Sequence, residues 1–311
     1  QDKYEDKLTL KTEAPVTKIL MDGKTHTRGV SFLNLKTGTP DLMESDAVIV
    51  CGGTIESAKL LLSSANKDWV DGIGNDSGHV GRHLIGHPVM GASGVRPGNP
   101  DKLAGELGFT SLISRHFDSP EYQHKGKMWF SGSVGLNSSL ERQILANVSR
   151  ADMDASLISE MRISLGGEME QFESPENRVS LGSGTTRHGL PTTEIEVGVH
   201  EINIKTRQEH VQTFVEILKT AGCTEDSIET YALDPDGAHA SSTCRMSSSD
   251  VDGVVNPDLQ VHGTDNLYVC SNAVFPSIAA ANPTLTLSAL SVRLAEYIGE
   301  QSRLVPLSRS H

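Results

Sequence analysis

The sequence predicts a mixed fold: an α/β unit with a parallel strand and a second, α+β domain built on an antiparallel sheet. Three observations carry this expectation. The stretch DAVIVCGGTIESAKLLLSS runs from an apolar strand through two glycines into a helix. A second short apolar strand, Leu267–Cys270, is followed by a long apolar helix near the C-terminus. Between these ends, residues 106–200 contain strand-like runs with almost no helical periodicity.

A chain of 311 residues with 37% hydrophobic residues holds enough core for two domains. Its formal net charge of −13 excludes nucleic acid and anionic membrane surfaces as partners held by charge. No apolar run is long enough for a transmembrane helix. The opening QDKYEDKLTL contains neither an initiator Met nor an apolar signal region, so the compartment stays open. Cys51, Cys223, Cys244 and Cys270 form no CxxC pair, which argues against a disulfide framework or a zinc site.

In chain order, VTKILM and GVSFLNL read as strands joined at Asp22-Gly23, a hairpin signal. The uninterrupted AVIV predicts a parallel strand covered on both faces. In the helix that follows, Ile55, Ala58, Leu61 and Leu62 share a face and Thr54 suits the N-cap. Gly52 and Gly53 at its start would let backbone N–H groups approach an anion closely. No GxGxxG follows a strand, so the dinucleotide fingerprint is absent from the sequence.

Residues 66–105 are rich in Gly, Pro, Asn and Asp and read as loops. His79, His83 and His87 recur four apart there, a spacing that would align three metal ligands on a helix. Glycines and Pro88 interrupt the run, and no second ligand cluster stands out. The expectation is therefore no metal, with histidines that hydrogen-bond locally. The strand-like runs MWFSGSVGL, MRISLGGEMEQF, NRVSLG and TTEIEVGV predict an antiparallel sheet, with a short helix near 139–146. Residues 206–221 read as an amphipathic helix with Val211, Phe214, Val215 and Leu218 on one face and Gly222 at its C-terminus.

The last third is organised around HASSTCRM, then GVVNPDLQVHGTDNLYVCSNAVFP, then NPTLTLSALSVRLAEYIGE. Asn282 is placed as an N-cap and Pro283 as the first residue of a helix that should be buried, because it is apolar around most of its surface. That helix N-terminus would favour electron density on a nearby group.

Taken with VTKIL, CGGTIESAKLLLSS and VGRHLIGHP, these motifs resemble the glucose–methanol–choline (GMC) flavin oxidoreductases, and most of all their pyranose oxidase-like branch. The resemblance implies that residues 1–87 and 236–311 are parts of a Rossmann-like FAD-binding domain whose first dinucleotide-binding unit is missing. Residues 88–235 would form a β-sheet substrate domain. A second polypeptide or an N-terminal segment carrying GxGxxG would complete the FAD site. His239 and Asn282 match the catalytic pair of the family. A neutral imidazole is a competent base for an alcohol proton, and an Asn amide can donate to the oxygen as charge develops there. The hydride would pass to flavin N5, since no side chain accepts a hydride reversibly. Val16, Gly52, Gly53, Ser271, Asn272, Pro283 and Thr284 match positions beside FAD. Ser271-Asn272 departs from the Asp-Gly of many relatives, and Ser242 and Ser247 stand where many carry glycine. The implied activity is oxidation of a sugar or related alcohol. A non-catalytic or flavin-free binding module is the competing expectation.

Overall fold

The computed structural model describes residues 7–98, 111–136, 143–149, 152, 160–233 and 239–304. The chain opens with an antiparallel meander of β1 (Val16–Asp22), β2 (His26–Asn34) and β3 (Thr39–Glu44), joined in the order β1-β2-β3. β4 (Val48–Val50) then leads into helix α1 (Gly53–Ser63), as the strand–glycine–helix pattern predicts. β4 pairs in parallel with β12 (Leu267–Val269), Val50 lying opposite Val269. This pair draws residues far apart in sequence into one core, which includes Ile19, Leu61, Val255, Leu267 and Leu294.

The middle of the chain builds a five-stranded antiparallel sheet in the order β11-β5-β8-β7-β6. Its strands are β5 (Val89–Pro97), β6 (Ser111–Ser114), β7 (Met128–Leu136), β8 (Glu160–Met169) and β11 (Glu229–Leu233). Helix α2 (Glu201–Thr220) covers one face, packing Phe214 and Leu218 against Met90, Ala92 and Leu165. His200 accepts from Ile202 N–H at the start of α2, and Gly222, at φ +89°, follows its end as the sequence predicts. Side chains alternate along β8, so Leu165 on the α2 face puts Glu168 on the opposite face.

The composition of residues 66–105 predicts loop throughout, yet β5 within it is a nine-residue strand. Its glycines are there to make room. Gly91 pairs with Gly166 of β8, and a Cβ at either position would meet the Tyr231 hydroxyl, at 2.5 and 2.6 Å respectively. The aromatic ring lies across two strands that present no side chains beneath it.

A separate hairpin, β9 (Arg178–Thr185) and β10 (Pro191–Glu196), stands outside the large sheet and packs against α1. Val179 N–H donates to Gly81 O at 2.8 Å. A Cβ on Gly81 would stand 2.2 Å from Val179 O, so this crossing requires glycine.

Three further expectations are corrected. The terminal helix α3 (Thr284–Leu304) is largely exposed rather than buried: Leu285 is 83% and Val292 60% exposed, while Leu294 packs into the first core. β4 is covered on one face only, leaving Ile49 46% exposed. In both cases apolar composition is met by no facing element among the described residues. Third, α3 begins at Thr284, so Pro283 and Asn282 precede it and Asn282 is not the N-cap. The short helix expected at 139–146 lies mostly outside the described residues.

Candidate active site

The segment around His239 is fixed by backbone pairing. Ser241 N–H donates to Ile85 O at 2.8 Å and Ile85 N–H donates to Ser241 O at 3.2 Å. With Ile85 opposite Ser241 in antiparallel register, His87 falls opposite His239. α1 clamps the same segment from the other side. Thr54, expected as an N-cap, instead donates its hydroxyl to Ala240 O, and Thr243 donates to Thr54 O at 2.6 Å. The cap position belongs to Gly52, which has no side chain to satisfy the first N–H groups of α1.

Glu168 comes from the large sheet to meet both histidines. Pro88 O accepts from Met169 N–H at 3.0 Å, which carries the chain at His87 alongside the end of β8. Glu168 Oε2 lies 2.9 Å from His87 Nδ1 and 3.0 Å from His239 Nδ1. The two Nδ1 atoms are 3.0 Å apart, with the rings edge to face. Burial pushes the His87 imidazole below its usual range, against the opposing pull of the Glu168 carboxylate and the Ala279 carbonyl. His87 Nε2 is buried without a hydrogen-bond partner.

The regular histidine spacing resolves into two different sites. His79 Nδ1 lies 2.8 Å from His83 Nε2, so these two do bond locally, as expected. His83 Nδ1 in turn lies 3.0 Å from Glu173 Oε2, which accepts from Arg245 Nη1 at 2.7 Å. Burial lowers the His83 pKa, with Glu173 opposing. His87 is not part of this network; it belongs with Glu168 and His239.

Asn282 is exposed and makes no hydrogen bond to any described residue. Its amide is therefore free of its own helix. The turn that carries it reaches the triad through Ala279, whose carbonyl lies beside the His87 ring. Pro283 is buried and Thr284 exposed at the start of α3.

The residues expected beside a cofactor divide into three places. Val16 and Gly52 line one cleft of about 360 Å³ with Ile49 and Lys59 on its walls. Gly53, at φ +70°, begins α1 with no atom within 4 Å of where a Cβ would stand. Ser271 is buried and spends its hydroxyl inside the fold, donating to Gly53 O at 3.2 Å and accepting from Ala273 N–H at 3.3 Å. Asn272 next to it keeps a buried Oδ1 with no partner. An uncapped helix start, an open glycine and an orphaned amide oxygen fit a large polar cofactor whose anionic part approaches the backbone of α1.

Sequence reasoning misses Glu168, His87, Glu173 and Arg245 as site residues. No local signal marks Glu168, since its strand, EMRISLGGEM, also carries Glu160, Arg162 and Ser164. For His87 the signal is its place immediately before a strand that the sequence itself does not reveal.

Models of the GMC oxidoreductase family match residues 1–89 and 173–291 of the chain. A 2-methyl-1,2-propanediol dehydrogenase of Mycolicibacterium austroafricanum is 26% identical over 305 residues, covering 94% of this chain and 54% of that protein. A pyranose 2-oxidase of Tricholoma matsutake is 22% identical, again covering 94% of this chain and 54% of that protein. The chain thus spans about half the length of these relatives. Among solved structures, a formate oxidase of Aspergillus oryzae RIB40, studied for modification of its FAD, superposes with a TM-score of 0.64 at 17% identity. That match covers 94% of this chain and 60% of the other, and it shows the shared fold. Among the described residues, no helix is long and apolar enough to cross a membrane.

Proposed function

We propose that this chain, which belongs to the GMC oxidoreductase family, forms the catalytic part of an FAD-dependent enzyme that oxidises a CH–OH group of a sugar or related alcohol. The observation that carries the reading is the orientation of His239. Its Nδ1 faces the Glu168 carboxylate at 3.0 Å, which selects the tautomer with the proton on Nδ1. Nε2, which has no hydrogen-bond partner among the described residues, is left as the basic nitrogen.

In this reading His239 Nε2 takes the hydroxyl proton of the substrate, and the adjacent carboxylate stabilises the imidazolium that forms. Glu168 is a positioning residue, acting through the ring it orients. Asn282, free of its helix, donates its amide N–H to the substrate oxygen as negative charge develops. Val16 and Gly52, which line one cleft, would hold part of FAD, while Gly53, Ser271, Asn272, Pro283 and Thr284 would contribute mainly backbone and amide contacts. FAD, when bound, supplies the two-electron acceptance that no side chain provides. A dinucleotide-binding unit with GxGxxG, on the same polypeptide or on another, completes the domain. The exposed face of β4 at Ile49 and the outer face of α3 support such a covering.

The first test is a visible spectrum and a denaturing intact mass of the complete protein. A flavin spectrum together with a GxGxxG-bearing segment is expected; a colourless sample of this chain alone would favour the flavin-free binding reading. On flavin-loaded protein, anaerobic mixing with sugars and diols should bleach the flavin. His239→Ala should slow that bleaching by roughly 10²–10⁴-fold, and an unchanged rate would remove His239 from the mechanism.

A further inference from the structure

We propose that His87, Glu168 and His239 together form a binding site for a borderline divalent cation of the Ni²⁺, Co²⁺ or Zn²⁺ class. The three ligand atoms form a nearly equilateral triangle, with edges of 2.9, 3.0 and 3.0 Å. In an octahedral site with bonds of about 2.1 Å, adjacent ligands stand about 3.0 Å apart, so the triangle has the dimensions of one octahedral face. Two imidazoles and one carboxylate on such a face are the donor set these cations favour.

Hydrogen bonding alone does not satisfy the triangle. An ionised carboxylate brings no proton, and each neutral ring brings at most one to its Nδ1. At least one edge is therefore a close contact between two atoms with no proton between them. A cation above the face turns all three contacts into coordination. The charge environment agrees: among the described residues, the charged and titratable groups acting on His87 are Glu168 and His239, with no lysine or arginine. The neighbouring pair His79 and His83 lacks this property, since Arg245 Nη1 lies 3.3 Å from His83 Nδ1 and already occupies Glu173. Among the described residues, this triad is the one group with three such ligand atoms converging.

Occupancy has a chemical consequence. Coordination uses the Nδ1 lone pair, so a neutral His239 must carry its proton on Nε2, and a ring in that tautomer accepts no proton from a substrate. Binding stands on the geometry alone; the loss of activity rests on the reading of His239 as base.

The test is calorimetric titration of Ni²⁺ into the purified, chelator-stripped protein. One equivalent per chain is expected, removable by EDTA. Glu168→Gln and His87→Asn should each weaken binding at least ten-fold, while His79→Asn should change it less than two-fold. Electron paramagnetic resonance of bound Cu²⁺ on the unmodified protein should show two imidazole nitrogens, which decides the matter even if a variant does not fold. No saturable binding below millimolar Ni²⁺, binding indifferent to Glu168→Gln and His87→Asn, or a Cu²⁺ spectrum without two imidazole nitrogens would overturn the site. Turnover that persists at saturating Ni²⁺ would overturn the catalytic role of His239 and leave the site standing.

Discussion

Helices α2 and α3 are of nearly equal length, 20 and 21 residues, and meet opposite fates. α2 carries a mixed, often charged sequence, yet its stripe of Asn203, Thr206, His210, Phe214 and Leu218 is buried against the five-stranded sheet. α3 reads as the more apolar helix, yet Leu285 and Val292 face outward. The difference lies in what the chain supplies opposite each helix. For α2, one contiguous stretch provides both helix and sheet. For α3, the first core takes up Leu294 on one side, with Tyr297 against Tyr268 of β12, and nothing among the described residues covers the other. A helix apolar all round needs partners all round, and its composition does not say which polypeptide carries them.

The sharpest probe of this contrast is Phe214→Ala. Phe214 is buried among Phe117 and Phe130, at ring separations of 6.0 and 5.0 Å. Truncation should cost about 3–5 kcal/mol, read as a drop in the urea midpoint. A cost below about 1 kcal/mol would mean that the α2 interface is not a closed core.

This contrast also explains what is legible in the sequence. β1, β2, β4, α1 and α2 are readable because local periodicity and turn chemistry determine them: Asp22-Gly23 marks the first hairpin and Gly222 the end of α2. β5 is not, because its glycines answer to Tyr231, a residue of another strand far along the chain. In the candidate site, His239 and Asn282 stand out through their flanking motifs. Glu168 does not, because its meeting with His239 depends on sheet register and on the Ile85–Ser241 bridge, and neither has a local signature.

An intermediate effect is expected from pH. His210 is buried in the α2 interface, its ring stacked at 3.9 Å on Phe117, and neither ring nitrogen has a partner. Burial, aided by His116, pushes its pKa from 6.5 down to about 4. The unfolded chain therefore binds the proton more readily between these values. Stability from this group is complete above pH 6.5 and declines as pH falls toward 4, by on the order of 2–3 kcal/mol. His210→Leu should flatten the melting temperature across this window. An unchanged pH dependence would show that the acid sensitivity of the protein arises outside the α2 interface.

The smallest expected effect completes the comparison. Leu285→Gln and Val292→Gln alter side chains that are already in water, so in this chain each should shift stability by about 0.5 kcal/mol or less. Gln is chosen because it sustains a helix, which keeps backbone propensity out of the measurement. The informative experiment pairs this result with the same substitutions in the complete protein. If a dinucleotide-binding unit packs on the outer face of α3, each substitution there should cost about 1–3 kcal/mol, the value of burying one such side chain. Equal, negligible effects in both settings would mean that no such unit packs on the outer face of α3, and the proposed covering would then rest on the Ile49 face of β4 alone.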